Sequence, residues 1–266
     1  MSAFRAVLLG GIVSCAASLV FAETPSVFDK PSHEVQIALP PNPDSPGSKP
    51  MLSCFYYPRL MVKQVDLGEL GAEQLSIVPV PLGREEPPCV RTNAKNEIVI
   101  DPKVWSGYFE GVKGDFVFFT AEDGFNGGMS FGVFNSDGAK IFEDSIRVEG
   151  RSFGFVSIEL LSDPKSDVES VLTLRYKRVH VAQCSLRGDE KYCWSRIKEI
   201  TGLAKAIPPN CAPAYEAEKK RLPEYANSVD SYPSVIAYDV EAVVDGRNSV
   251  VRVSPTSNAT ECYLGD

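Results

Sequence analysis

Gly114-Asp115-Phe116-Val117-Phe118-Phe119-Thr120, followed by Asp123-Gly124-Phe125-Asn126-Gly127-Gly128 and then Met129-Ser130-Phe131-Gly132-Val133-Phe134, is the stretch that decides the fold. Two runs rich in aromatic and β-branched residues flank a segment of Asp, Asn and Gly. Such residues accept positive φ at little steric cost, as hairpin turns require. Asn135-Ser136-Asp137-Gly138 marks a second turn, and Ala139-Lys140-Ile141-Phe142 returns the chain again. Residues 113–148 therefore read as a β-meander.

The same texture extends in both directions. Upstream, residues 52–57, 60–65, 74–80 and 97–100 are strand material, with Pro58 confined to a bulge or edge and Asp101-Pro102 ending the last run. Downstream, residues 153–160 and 168–182 form two longer strands joined by Ser162-Asp163-Pro164-Lys165-Ser166. Past Cys184 the period changes. Trp194, Ile197, Ile200, Ala204 and Ile207 fall three to four apart, which predicts a helix that Pro208-Pro209 stops. A second short helix is expected over residues 213–222, with Pro213 early and Glu216 and Lys220 at i,i+4. Residues 235–244 and 249–253 then make a hairpin about Asp245-Gly246-Arg247-Asn248. Strands recurring about every 8–12 residues point to a mainly β fold, an antiparallel sandwich or barrel-like meander with two short C-terminal helices.

The chain opens with a targeting signature. Arg5 supplies a short positive region, residues 6–20 are apolar or small, and Val20-Phe21-Ala22 offers a peptidase site after Ala22. The run is short for a membrane span and has no basic stop-transfer flank, so no transmembrane helix is expected after its removal. Ile12-Val13-Ser14-Cys15 resembles a lipobox, which would tether the chain by lipid, but the apolar run continues past Cys15. The expected organisation is a signal peptide at 1–22, a Pro-rich flexible lead-in at 23–50, a β-rich core at 51–183, and a helical pair with a final hairpin at 184–266. Within the lead-in, Val35, Ile37 and Leu39 alternate as one short edge strand would. The expected location is secreted or periplasmic.

Cys54, Cys89, Cys184, Cys193, Cys211 and Cys262 remain after the signal. An even number in an exported chain reads as three disulfides, since no CxxC pair occurs and His33 and His180 are the only histidines. Six cysteines allow 15 pairings. Sequence does not choose among them; one set in which each bridge closes a segment of turn or loop residues is Cys54–Cys89, Cys184–Cys193 and Cys211–Cys262, which would pin neighbouring strands, a strand-to-helix passage and the tail.

The motifs carry little catalytic chemistry. A net charge of −8 argues against a general nucleic-acid partner. His180 lies in a strand with Tyr176 and Ala182 on its face, and no nucleophile motif accompanies it. Asp115, Glu122, Asp123, Asp137, Glu143 and Asp144 gather around the meander turns, where paired carboxylates would serve glycoside hydrolysis, although turn chemistry already accounts for Asp123 and Asp137. Asp123, Asn126 and Asp137 are hard oxygen donors, but their spacing fits no calcium loop. No catalytic, metal or cofactor residues are assigned. Trp105, Tyr108 and Phe125 are the candidate ligand-binding residues, because rings on loops stack on sugar faces or peptides; the competing role is capping the core. The functional expectation is an exported, disulfide-stabilised, non-enzymatic module that binds a surface ligand or protein partner. The alternatives are a secreted carbohydrate-active enzyme and an envelope-assembly protein.

Overall fold

The computed structural model describes residues 26–149, 152–161, 171–245 and 250–265. The expected signal segment, Cys15, the loop at 162–166 and most of the final turn at 245–248 lie outside the described residues. The first sheet contains β1 (His33–Ala38), β2 (Met51–Tyr56), β3 (Leu60–Asp66), β4 (Gln74–Pro79) and β5 (Ile98–Val99), antiparallel and in sequence order. The second is built from β6 (Gly107–Lys113), β7 (Phe116–Phe125), β8 (Gly128–Phe134), β9 (Lys140–Glu149), β10 (Ser152–Phe153), β11 (Phe155–Leu161) and β12 (Val171–Val181). Helices α1 (Glu190–Thr201), α2 (Ala212–Arg221) and α3 (Ala226–Val229) follow, and β13 (Ser234–Asp245) and β14 (Val250–Leu264) complete the second sheet. Its order is β14-β13-β12-β9-β8-β7-β6, with β10 paired to β9 and β11 to β12. The protein is thus mainly β, with two antiparallel sheets and short helices. No helix among the described residues is long and apolar enough to cross a membrane.

The continuous apolar run of β7 has a direct cause. Val117 and Phe119 face the first sheet and join Leu60, Val62, Leu75, Ile77 and Phe134 in one core. Phe116 and Phe118 face the other way, into the core that holds Trp194, Ile197 and Tyr215 from the helices. A strand buried on both faces has no polar alternation to show. Strand β3 is likewise central: Leu60 and Val62 point to the second sheet, while Met61 and Val65 point outward under the segment at 80–97.

Several local expectations shift. The β7–β8 turn is only Asn126-Gly127, since Phe125 pairs with Gly128. Both turn residues take positive φ, 54° and 69°, the primed geometry that matches strand twist. Helix α1 stops at Thr201, short of the expected end at Ile207. Gly202 adopts φ 75° and its N–H donates to the Lys198 carbonyl, which closes the helix before the apolar stripe runs out. Ile207, past the helix end, is 79% exposed, and Ile200, within α1 but off the buried face of Cys193, Trp194, Ile197 and Thr201, is 60% exposed. Among the described residues three short α-helices form where two are expected, because Pro223 starts a 3-10 turn that leads into α3. Glu216 contacts Lys219 at 3.4 Å on α2.

The sulfur bridges are Cys54–Cys89, Cys184–Cys193 and Cys211–Cys262. The first holds the segment at 80–97 on β2. The second joins the end of β12 to α1, and the third joins the start of α2 to β14. The lead-in is also tied to the body: β1 pairs with β2 along its whole length, and the Asp29 N–H donates to the Val112 carbonyl.

Candidate functional site

The first sheet packs on the second through β3 and β6. Beside that contact is a cleft of about 730 Å³ lined by Phe28, Asp29, Lys30, Glu34, Phe55, Tyr57, Phe109, Glu110 and Gly111. That volume suits a small organic molecule. Three separate pieces of chain build it: the segment before β1, the β1–β2 pair, and the middle of β6.

The middle of β6 is a bulge. Phe109 pairs with Phe119 and Gly111 with Phe118, so Glu110 is the extra residue without a cross-strand mate. Bulges re-aim side chains, and this one sends a carboxyl into an aromatic-walled cleft. Among the described residues Glu110 has no hydrogen-bond or ion-pair partner. Burial pushes its pKa up to about 7, because the charged form loses water and gains nothing in return.

The walls are organised by ring contacts. Phe55 and Phe109 lie 4.6 Å apart between centroids, and Phe109 contacts Phe119 at 6.3 Å. Phe28 packs edge-on to Phe118 at 5.2 Å and to Phe155 at 5.8 Å. Gly111 permits this close approach: a Cβ there would sit 2.4 Å from the Phe28 ring. Tyr57 is nearly buried, and burial, reinforced by Glu34 and Asp29, raises its phenol above the ordinary tyrosine range. Asp29 is engaged, accepting from the Gly114 N–H at 2.7 Å and pairing with Lys113 at 3.1 Å.

The residues singled out from the sequence fall elsewhere. Trp105 is 7% exposed, and its Nε1 donates to the Thr120 carbonyl at 3.1 Å, so it is core and not a stacking platform. An indole buried between sheets needs one acceptor, and the Thr120 carbonyl supplies it where the β7–β8 register shifts. Tyr108 is half-buried; its hydroxyl accepts from the Gly71 N–H at 2.8 Å and donates to the Glu69 carbonyl at 3.3 Å. The Phe125 side chain lies outside the described atoms. Trp105 and Tyr108 do not share an exposed concave face.

The meander acids do not gather in one cleft either. Asp115 pairs with Arg59 at 3.2 Å, Glu143 with Lys140 at 2.6 Å, and Glu122 accepts from Ser106. Asp144 is buried and accepts from Tyr176 and, at 2.8 Å, from Arg178. Asp123 is exposed near the end of β7, and Asp137 sits in the β8–β9 turn capped by Asn135. His180 is half-buried, its pKa lowered by burial and by Arg178, and it borders a pocket of about 250 Å³ with Cys184, Tyr192 and Arg196.

Glu110 escaped the sequence reading, yet one signal was present. Phe109-Glu110-Gly111-Val112 breaks strand alternation with a charge followed by glycine, the composition of a bulge. Lys63 is a second such case, a lysine at an interior position of β3 whose ammonium meets Glu97 at 2.6 Å. No family model, no curated protein and no solved structure matches this chain, so its own residues are the ground for any functional reading.

Proposed function

We propose that this chain is an exported, non-enzymatic binding protein that takes a small ligand into the cleft between the β1–β2 pair and β6. The observation that carries the reading is Glu110: an extra bulge residue whose carboxyl is half-buried among Phe28, Phe55, Tyr57 and Phe109 with no partner among the described residues. Leaving a carboxyl in such surroundings costs stability, and proteins tolerate that cost mainly where a group has work to do. Export rests on the apolar leader ending at Ala22 and on three disulfides, which form and persist in oxidising compartments. A secreted or periplasmic location follows, with a mature chain beginning at Glu23.

The test is amide chemical-shift mapping of the isotope-labelled mature protein against a panel of small polar and aromatic molecules. Shifts concentrated at Phe28, Phe55, Tyr57, Phe109 and Glu110 are expected. Shifts confined to the His180 pocket, or none with any panel member, refute the cleft as the binding site. Intact mass of the exported protein tests the leader, and a chain retaining Met1 overturns its removal.

A second reading has one specific observation in its favour. A carboxyl titrating near about pH 7 is suited to general acid–base work, and Glu34 lines the same cleft. Hydrolysis of a glycoside panel that disappears in Glu110→Gln would move the chain from binder to enzyme.

A further inference from the structure

We infer that the cleft's ligand is an organic cation, a primary ammonium or guanidinium head carried on an apolar body; this rests on the cleft being the binding site. The cleft's lining holds three carboxyls, Asp29, Glu34 and Glu110, against one ammonium, Lys30. Lys113 and the Gly114 N–H already occupy Asp29. Lys30 and Glu34 are both exposed and neither has a side-chain partner among the described residues, so their opposite charges offset. Glu110 is therefore the uncommitted group that the cleft withdraws from water.

Donor and acceptor chemistry narrows the choice. Ionised carboxylates only accept hydrogen bonds, whereas ammonium and guanidinium heads only donate. An anionic ligand would meet like charge. A neutral apolar ligand would strip the remaining water from Glu110 without supplying a counter-charge, which disfavours binding. A sugar would need donors as well as acceptors from the walls, and at about pH 8, with Glu110 ionised, only Tyr57 and exposed residues among the lining side chains offer donors. The aromatic faces add to the preference, since a cation over Phe or Tyr is attracted by the ring quadrupole, more strongly where water is excluded. Phe55 and Phe109, tilted 39° to each other, put two such rings beside the carboxyl.

Three probes on one skeleton separate the alternatives: phenethylamine as cation, 2-phenylethanol as neutral analogue and phenylacetate as anion. At about pH 8, phenethylamine is expected to shift the cleft amides and to bind roughly tenfold or more tighter than 2-phenylethanol, with phenylacetate giving no shift. Glu110→Gln should weaken phenethylamine by about tenfold and leave 2-phenylethanol no weaker than in wild type. Should that variant fail to keep the wild-type amide spectrum, Glu34→Gln and a pH series on the wild type carry the same question. Affinity for phenethylamine should rise between about pH 5.5 and about pH 8 as Glu110 ionises. The other titratable groups lining the cleft are Asp29 and Lys30 before β1, Glu34 on β1 and Tyr57 after β2, and Lys113 on β6 is paired to Asp29.

Equal or tighter binding of 2-phenylethanol or phenylacetate overturns the cationic assignment while leaving the cleft as a binding site. Absence of any cleft shift with all three probes, when other panel members do shift it, also overturns the assignment. Absence of cleft shifts with every molecule tried sinks the binding reading itself.

Discussion

Lys63 and Glu97 form an ion pair at 2.6 Å whose side chains are only 2% and 1% exposed, sealed beneath the segment that Cys89 anchors. The ammonium also donates to the Val90 and Thr92 carbonyls, each at 3.3 Å, while Glu97 accepts from the Ala94 N–H and from Gln74. Cys54 is the residue directly opposite Lys63 on β2. One covalent bridge and one buried charge pair therefore hold the same irregular segment on the outer face of the first sheet.

Breaking that pair on one side should be severe. Lys63→Met strands a buried carboxylate, and a loss of about 3–5 kcal/mol in unfolding free energy is expected. Combining it with Glu97→Leu removes the stranded charge and should recover at least about 1 kcal/mol of that loss. Denaturant midpoints of the two variants decide the point; a double variant less stable than the single one would contradict it.

Replacing Cys54 and Cys89 together by alanine opens a bridge that spans 35 residues. A cost of roughly 3–4 kcal/mol is expected from loop-closure entropy. The freed segment should also become the first site of proteolytic cleavage, near the exposed Leu82 and Arg84. Digestion that begins elsewhere would show that Lys63 and Glu97 suffice to hold it.

Glu110 makes stability depend on pH in a defined direction. Its folded pKa, about 7, lies above its ordinary value of 4.5, so the native state holds the proton longer than the unfolded chain. Its contribution is therefore fully present below about pH 4.5 and is lost as pH rises to about 7, a swing on the order of 2–3 kcal/mol. Glu110→Gln should flatten this part of the profile and be more stable than wild type at about pH 8. Parallel pH profiles for the two proteins would show that the carboxyl is well solvated.

Gly111 is needed for contact, not for backbone freedom. Gly111→Ala places a methyl against the Phe28 ring, and a loss of about 1–3 kcal/mol is expected from the forced shift. The same change should loosen the segment before β1, read as faster hydrogen exchange at the Asp29 amide, which bonds the Val112 carbonyl. Unchanged exchange there would mean that Phe28 relocates without disturbing its backbone.

Trp105→Phe removes the donor to Thr120 while keeping most of the ring. A loss of about 1–2 kcal/mol is expected, with no change in the cleft's ligand binding. A larger effect on binding than on stability would restore Trp105 as a recognition residue.

The β character, the strand and turn rhythm and an even set of six cysteines were legible in the chain itself, but which cysteines pair was decided by the fold. Alternation in residues 51–57 and the turn character of Asp, Asn and Gly between β7 and β8 are local, because neighbouring residues alone determine period and φ. What lies on the two faces of β7 was not legible, since a run buried on both sides shows no alternation to assign. Nor was the cleft. Its walls come from residues 28–34, 55–57 and 109–111, and only the packing of one sheet across the edge of the other brings them together. The same holds for Lys63 and Glu97, which look like ordinary surface charges until the segment at 80–97 folds over them. Local chemistry selects each element; burial, which depends on distant chain, decides which of its charges are solvated and which are left to act.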